Sequence, residues 1–524
     1  MNKKFININI FYLILVILFS FFFNYFYANL GVFPIDTFAF LDTAYNIHLN
    51  RHPFKDIWVT TGPLVDYLQF FFFKLFGFNW SSYVIHASII NALVSYFFFK
   101  TLVENNLSKI LCLIYALGLG VLCYTISGTP FAYIHSYSFS LLSILFFFNA
   151  IKFKSKKYFF FLPIMMSIAF LSMQNPAALI ILVIFIFLII FYFKTDEKKF
   201  IYFFIGGTIF SIISFLLILF FNKIPLINFF QQYFLFPLTM GENRVLGNEM
   251  AHISLSERAT FRNVLGHFKF INVLIIILIY ITIRDFFKKS ISFENFIINF
   301  SLILCSLMFI FNQLITSNQT YIFSLIPFLA GFIHLNLNEK KNINNIYKNF
   351  VFLLMIFCVL KYHFVYNEKR KFMDLQNVNL QKTVDAKVLD PKFKGLKWIS
   401  PKFPDNPIIE INFLREAVEH IKSEKEEIML MTDYQFFSFL TEKNLNIPNR
   451  WYTHDNNSYP LEDHKYFKFY KHHINKTIEK NKIFKIYTIG EPNIENFKIY
   501  FKDKCFKTLE INEITKVSEI VNCN

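Results

Sequence analysis

Residues 33–80 read FPIDTFAFLDTAYNIHLNRHPFKDIWVTTGPLVDYLQFFFFKLFGFNW, a mixed polar and aromatic stretch set between two apolar runs. Phe5 to about Leu30 precedes it and a second run begins at Trp80. A helix rises ~1.5 Å per residue, so about twenty apolar residues cross a ~30 Å hydrocarbon layer. Residues 33–80 are therefore a connection between two membrane spans. Within it, Pro63 to Phe76 has the pattern of an interfacial helix, ended by Gly77 just before the next span. Working outward, further apolar runs fall near 81–100, 108–126, 131–151, 158–174, 177–194, 200–222, 269–287, 295–316, 320–337 and 350–366. With the first run these make eleven spans. The expected fold is an all-α membrane protein of about 11 transmembrane helices, with interfacial helices in two long outer loops (31–80 and 223–268) and a C-terminal α/β outer domain. The second loop repeats the aromatic character of the first at Asn228 to Met240.

Composition agrees. Of 524 residues, 55% are hydrophobic, 75 are Phe and 17% are charged, whereas soluble domains run near ~45–50% apolar and ~25% charged. Disorder, collagen, coiled coil and a secreted disulfide scaffold are excluded by the same figures. Phe, Ile, Lys, Asn and Tyr share A/T-rich codons, so Phe stripes are discounted as functional signals. Residues 1–366 hold 26 Lys+Arg against 13 Asp+Glu, and the remainder 26 against 23. The basic excess thus sits between hydrophobic spans, where it sets topology; no nucleic-acid partner is expected. Lys3/Lys4, Lys100/Lys109, Lys152 to Lys157, Lys194 to Lys199, Arg284 to Lys289 and Lys340 to Lys348 fall on alternate connections. That side is expected to be cytoplasmic. The intervening turns at Ser127–Pro130, Gln174–Pro176 and Thr316–Gln319 lack Lys and Arg. The first run is too long for a signal-peptide core and has no clean cleavage site, so it is read as a retained helix. An N-terminus in the cytoplasm and eleven spans place the C-terminal domain outside, on the periplasmic face of a bacterial inner membrane.

The domain organisation expected is a membrane domain over 1–366, a connector over 367–410 rich in proline, and an α/β domain over 411–524. Phe413 to Ile421 and Lys465 to Ile478 read as helices, Glu427 to Met431 and Lys482 to Ile489 as strands. Cys112, Cys123, Cys305 and Cys358 lie in spans. Cys505 and Cys523 are the two outer cysteines and are expected to form a disulfide. No CxxC pair, HExxH, Walker loop, GxSxG elbow or dinucleotide-binding glycine turn occurs.

Long loops are where membrane enzymes carry chemistry. Asp36 stands a few residues beyond the first span, at headgroup level, where a carboxylate is costly unless it is solvated or used. It reads either as a helix cap before Thr37-Phe38-Ala39 or as a reactive group. Asp42 lies on another helix face, and Asp56 and Asp66 read as solvated or interfacial.

The spacing of Asp36, Ala44, Pro53, Asp56, Gly62-Pro63-Leu64 and Leu75-Phe76-Gly77 resembles the GT-C superfamily of integral-membrane glycosyltransferases, which includes protein O-mannosyltransferases and the lipid A aminoarabinose transferase. The resemblance covers residues 1–105 well and stays consistent in topology to 366; the outer domain resembles nothing specific. Thr37 stands where a second acid is frequent, Asn50 replaces a usual Gly, Gly62 replaces the first Pro of a PPL segment, and no second acidic motif appears at Ser127–Pro130. The resemblance implies a polyprenyl-phosphate-linked sugar as donor, a cell-envelope glycan, lipid or protein as acceptor, and Asp36 as the general base of an inverting transfer, hexosyl or pentosyl. A carboxylate suits that step, since partial desolvation raises its basicity while the departing phosphate needs cations more than an acid. Donor contacts are expected among Arg51, Lys55, Asp42, Asp56, Arg244 and Tyr321, with His52, Arg258, Arg262 and His135 as weaker candidates; Arg244 is preferred among the cations. No cofactor is implied, and the sequence does not support a divalent metal. An envelope-glycan polymerase or ligase, a lipid or sugar transporter, and a noncatalytic scaffold remain as other classes; a transporter would place ionisable groups midway through its spans.

Overall fold

In the computed structural model, residues 3–195, 197–247, 253–316, 321–339, 345–501 and 504–523 are described. The turn residues Ser317, Asn318, Gln319 and Thr320, together with Lys340 and Lys341, lie outside them. The chain is a multi-pass membrane protein with a small mixed α/β domain at its C-terminal end.

It begins with α1 (Lys3–Ala28), and the first outer loop holds α2 (Pro34–Thr37), α3 (Leu41–His48) and α4 (Leu64–Phe76). The membrane helices continue with α5 (Trp80–Glu104), α6 (Lys109–Leu122), α7 (Ala132–Phe153), α8 (Lys156–Ser172), α9 (Gln174–Lys194) and α10 (Phe200–Phe221). The second outer loop carries α11 (Leu226–Phe230), a π-helical turn over Gln231–Leu235, α12 (Phe236–Leu246) and α13 (Leu255–Arg258). Four more helices complete the membrane part: α14 (Lys269–Phe287), α15 (Phe293–Ile315), α16 (Leu325–Asn338) and α17 (Asn345–His363). A helix therefore stands at each of the eleven expected runs. Eight among the described residues are long and apolar enough to cross a membrane unaided, while α6, α8 and α16 are shorter. The short helices are not isolated: α6 and α16 pack in one apolar core with α5, α7 and α17. The apolar stretch of α7 is wholly buried and that of α10 is only 17% buried, so α7 is the axis of the bundle and α10 faces lipid.

The expected interfacial helix is α4. It stops at Gly77, whose φ of 84° suits a residue without Cβ, and α5 restarts two residues later where Asn79 accepts the Ser82 N–H. Gly62, at the head of α4, lies on the end of α8: its N–H donates to the Ser172 carbonyl at 3.1 Å, and a Cβ there would meet the Leu171 carbonyl at 1.8 Å. A glycine in place of proline at this position follows from that seat, because no side chain fits and the N–H is used.

Beyond α17 the chain continues as β1 (Val384–Asp385) paired antiparallel with β2 (Lys397–Trp398). It joins the first loop here: the Lys397 carbonyl accepts the Gly31 N–H at 2.9 Å and the Ile399 carbonyl accepts the Val32 N–H at 2.9 Å. Next come α18 (Pro407–Ser423), β3 (Ile428–Thr432), α19 (Phe437–Thr441), α20 (Phe467–Asn481), β4 (Lys485–Ile489), β5 (Lys504–Asn512) and β6 (Thr515–Asn522). The sheet order is β3-β4-β6-β5, with β3 and β4 parallel and the other pairs antiparallel. Strand alternation divides β3 between two layers. Ile428 and Leu430 pack with Ile411, Leu414 and Val418 of α18, and Met429 and Met431 pack with Tyr470 and Ile474 of α20. Cys505 and Cys523 are joined by a disulfide across the β5–β6 hairpin.

The outer layer shares its core with the first loop. Phe38, Phe40, Leu41 and Tyr45 belong to the same buried cluster as Trp398, Tyr434, Phe436 and Phe439. Phe38 stacks on Trp398 at 5.5 Å and meets Phe436 edge-on at 4.9 Å. A loop that would otherwise be half wet is thereby roofed over by apolar surface.

Candidate active site

The backbone around Asp36 is held from several directions. Pro34 opens α2, the Phe33 N–H donates to Thr37 Oγ1 at 2.9 Å, and the Thr37 carbonyl accepts Thr129 Oγ1 at 3.1 Å. Trp451 Nε1 donates to the Ile35 carbonyl at 3.1 Å. The Asp36 carboxyl itself is partly buried and has no hydrogen-bond or ion partner among the described residues. Loss of hydration, reinforced by the nearby Asp374 carboxylate, pushes it up from 3.8 to about 7. A group so placed is half ionised near neutral pH and ready to take a proton.

The remaining loop aspartates are already engaged. Asp42 is fully buried and accepts the N–H groups of Ser438 and Phe439 at 3.1 and 2.8 Å. These are orphan donors at the start of α19, so Asp42 caps a helix of the outer domain from a distant position in sequence. Burial raises its carboxyl to about 7 despite those bonds. Expected to contact a donor sugar, it is instead sealed under α19. Asp66, expected to be solvated or interfacial, is completely buried and faces Arg450, whose Nη2 donates to Asp66 Oδ1 at 2.6 Å. Burial pushes the Asp66 carboxyl up to about 6, and the guanidinium pulls against it. Arg450 is also buried; its guanidinium lies 4.1 Å from the Phe40 ring centroid and donates to Thr43 and Thr61. Asp56 accepts the His52 N–H through Oδ2 at 3.0 Å.

The cations separate into two places. Arg51 and Lys55 line, together with Asp56, a cavity of about 540 Å³ between the first loop, the end of α10 and α20. Arg51 is buried there, with Nη1 donating to Asn444 Oδ1 at 2.9 Å and Nη2 to the Asp56 and Ile447 carbonyls at 3.1 and 3.2 Å. Arg244 lines a second cavity of about 310 Å³, mainly apolar, whose polar wall includes Thr60, Tyr133, Gln174, Asn175 and Thr316. Neither cavity includes Asp36 or Tyr321 in its lining. Tyr321, expected at a donor pocket, is fully buried, its ring against Phe323, Tyr366 and Phe372. Arg258 is buried as a staple, with Nη1 donating to the last carbonyls of α15, Leu314 and Ile315, at 2.9 and 2.8 Å. Arg262 lies exposed on the π-helical turn Arg262–Gly266.

Two features had little sequence signal. Arg450 sits in an unremarkable loop, and nothing local pairs it with an aspartate 384 residues away. His86 of α5 and His135 of α7 meet at Nε2–Nε2 3.0 Å, with Gln69 on the far side of His86 at 3.0 Å and Tyr124 on that of His135 at 2.9 Å. The two rings thus join Tyr124, His135, His86 and Gln69 in one continuous hydrogen-bonded chain. His135 at a helix end was visible, but its partner on another helix was not.

Residues 52–218 match the family model described as dolichyl-phosphate-mannose-protein mannosyltransferase. Over those residues, about a third of the chain, the protein is similar to that family of membrane glycosyltransferases. The match begins inside the first loop, after Asp36, and ends within α10, so the matched segment includes Gly62-Pro63-Leu64, α4 and the His86–His135 pair. The crystal structure of ArnT from Cupriavidus metallidurans bound to undecaprenyl phosphate aligns at 10% identity, covering 99% of this chain and 98% of that one, with a TM-score of 0.43. No curated protein matches the chain.

Proposed function

We propose that this GT-C protein is an inverting glycosyltransferase, moving a sugar from a polyprenyl-phosphate donor to a cell-envelope acceptor on the outer face of a bacterial plasma membrane. One observation carries the reading. Of the four aspartates in the first outer loop, Asp42 is a cap, Asp66 is ion-paired and Asp56 holds a backbone N–H, while Asp36 alone has no partner among the described residues. An unpaired carboxyl with a raised proton affinity, on backbone pinned by Thr37, Thr129 and Trp451, is what a general base requires.

In this mechanism Asp36 takes the proton of the acceptor hydroxyl as its oxygen attacks the anomeric carbon, and the carbon–phosphate oxygen bond breaks on the opposite face. The charge that grows is on the departing lipid phosphate, a stable anion that needs a cation rather than a proton. Arg244 is the cation proposed for that part, since its cavity has apolar walls for an isoprenoid and a guanidinium that can offer two donors to phosphate; Asp36 does not line that cavity, so the mechanism requires the sugar to reach from it to Asp36. Hexosyl or pentosyl transfer, and the acceptor, depend on pocket shape.

The test is transfer from purified polyprenyl-phosphate-linked sugars by the full chain in lipid nanodiscs. Asp36→Asn is expected to lower turnover at about pH 8 by ~10²–10⁴-fold, with thermal stability unchanged near pH 4. Turnover in the variant equal to that of the unaltered protein overturns the mechanism.

A further inference from the structure

The cavity that takes in Arg51 and Lys55 has an unbalanced wall. Three parts of the chain build it: the first loop, the turn after α10 with Lys223, and the face of α20 that carries Lys476 and Lys480. Five Lys or Arg side chains thus face about 540 Å³ of space, against one carboxylate, Asp56. That carboxylate already accepts the His52 N–H, and none of the five cations makes an ion pair with a carboxylate among the described residues. His473, on the same wall, has a buried Nε2 without a partner. Like charges converging on one concave surface repel one another, and the arrangement focuses a positive potential into the cavity.

What lies beneath the cavity narrows the ligand. Lys223 stands two residues past Phe221, and Phe220 and Phe221 are 76% and 74% exposed at the end of a lipid-facing helix. Leu226 and Ile227, just past Pro225 of the cavity wall, are exposed as well. The charged cavity therefore opens at the edge of the apolar belt. Arg51 is already fixed by Asn444 and two carbonyls, so part of the site is ordered before anything binds.

We propose that this cavity binds a phosphate-bearing head group, at a place separate from Asp36 and built jointly by the membrane region and the outer domain. The binding stands independently of the transferase reading, and it gives the outer domain a task of its own: α20 supplies Lys476 and Lys480. A free phosphate and the head group of an amphiphile share this chemistry.

The test uses the full chain in phosphatidylcholine nanodiscs, titrated calorimetrically with inorganic pyrophosphate and with dihexanoyl phosphatidic acid, in about 20 mM and about 200 mM salt. Binding of at least one probe, weakened at the higher salt and weakened tenfold or more in the triple variant K223Q/K476Q/K480Q, is the expected result. These three lysines are exposed, so folding is not at stake, and equal thermal stability checks it. A control triple, K394Q/K425Q/K507Q, removes the same charge at exposed positions elsewhere and is expected to bind as the unaltered protein does. Failure of both probes to bind, equal affinity in the cavity variant, or equal loss in the control overturns the proposal. Tighter binding of the lipid phosphate assigns the site to an amphiphile; equal or tighter binding of pyrophosphate assigns it to a soluble phosphate. The transferase reading is tested by Asp36→Asn, which leaves this cavity intact, so the two can fail separately.

Discussion

The two long outer loops look alike in sequence, each aromatic and each placed after a membrane helix, yet the fold treats them differently. The first is clamped. Its backbone at Gly31 and Val32 pairs with the connector, Gly62 rests on α8, and Phe38 to Tyr45 join the outer domain's core. The second is fastened along one side, where Asn228 and Gln232 donate to the Phe54 carbonyl, Tyr233 and Phe236 are buried and Arg258 donates to the end of α15, while Leu226, Ile227, Leu238 and Leu246 on its other side are exposed. The difference teaches where rigidity is needed. Under the proposed mechanism a general base must stay within hydrogen-bond reach of its proton, and a loop held on all sides meets that need, whereas a loop that borders lipid is held on one side.

The largest effect that would break this comparison is the loss of the Asp66–Arg450 pair. Arg450→Met leaves a buried carboxylate without its partner and is expected to lower stability by about 3–5 kcal/mol, read by thermal unfolding and by protease release of the outer domain. Adding Asp66→Leu is expected to restore much of the loss, because the pair's charges are costly to bury in the first place. A single variant as stable as the original would show that the clamp does not depend on it. A smaller and local effect is expected from Arg258→Met. Four hydrogen bonds go to carbonyls at 2.6 to 3.1 Å, and their loss is expected to cost about 2 kcal/mol, confined to the second loop. Amide exchange should quicken over residues 253–266 and stay unchanged over 33–66; equal quickening in both would erase the contrast between the loops.

The smallest effect comes from titrating Asp36. With its carboxyl at about 7, the ionised fraction falls about tenfold between pH 8 and pH 6, and turnover should fall with it. The stability contribution has the opposite sign. The folded group holds its proton to about 7 while the unfolded one releases it near 3.8, so the native state binds more protons between those values and stability declines as pH rises through that window. Asp36→Asn removes its part of that decline. The variant is expected to melt about 1–3 °C above the parent at pH 8 and level with it near pH 4. A variant that melts lower at pH 8 would mean that the carboxylate is held by a favourable contact.

Much of the architecture could be read along the chain because its causes are local. Apolar runs of about twenty residues become helices where the backbone has no other way to satisfy its polar groups, and Gly77 with Asn79 marks a break that any neighbour would respect. The strand pairs β5 and β6 carry no such signal, since β5 is almost wholly exposed and lacks a buried face to pattern. The site was half legible. Asp36 stood out by its position after the first span. Asp42, Asp56 and Asp66 could not be sorted from it, because whether a carboxylate is free depends on groups far away: the α19 N–H donors for Asp42 and Arg450 for Asp66.

The amino-acid sequence alone marked a helix at each apolar run, eight of those described being long and apolar enough to cross a membrane, and an acid just past the first helix, because hydrophobic length and local charge act within one segment. Only the tertiary structure decided which carboxyl keeps a free oxygen, which arginine is walled in, and where five cations meet. Those outcomes follow from desolvation and pairing, and both are set by what the rest of the chain brings up against a residue.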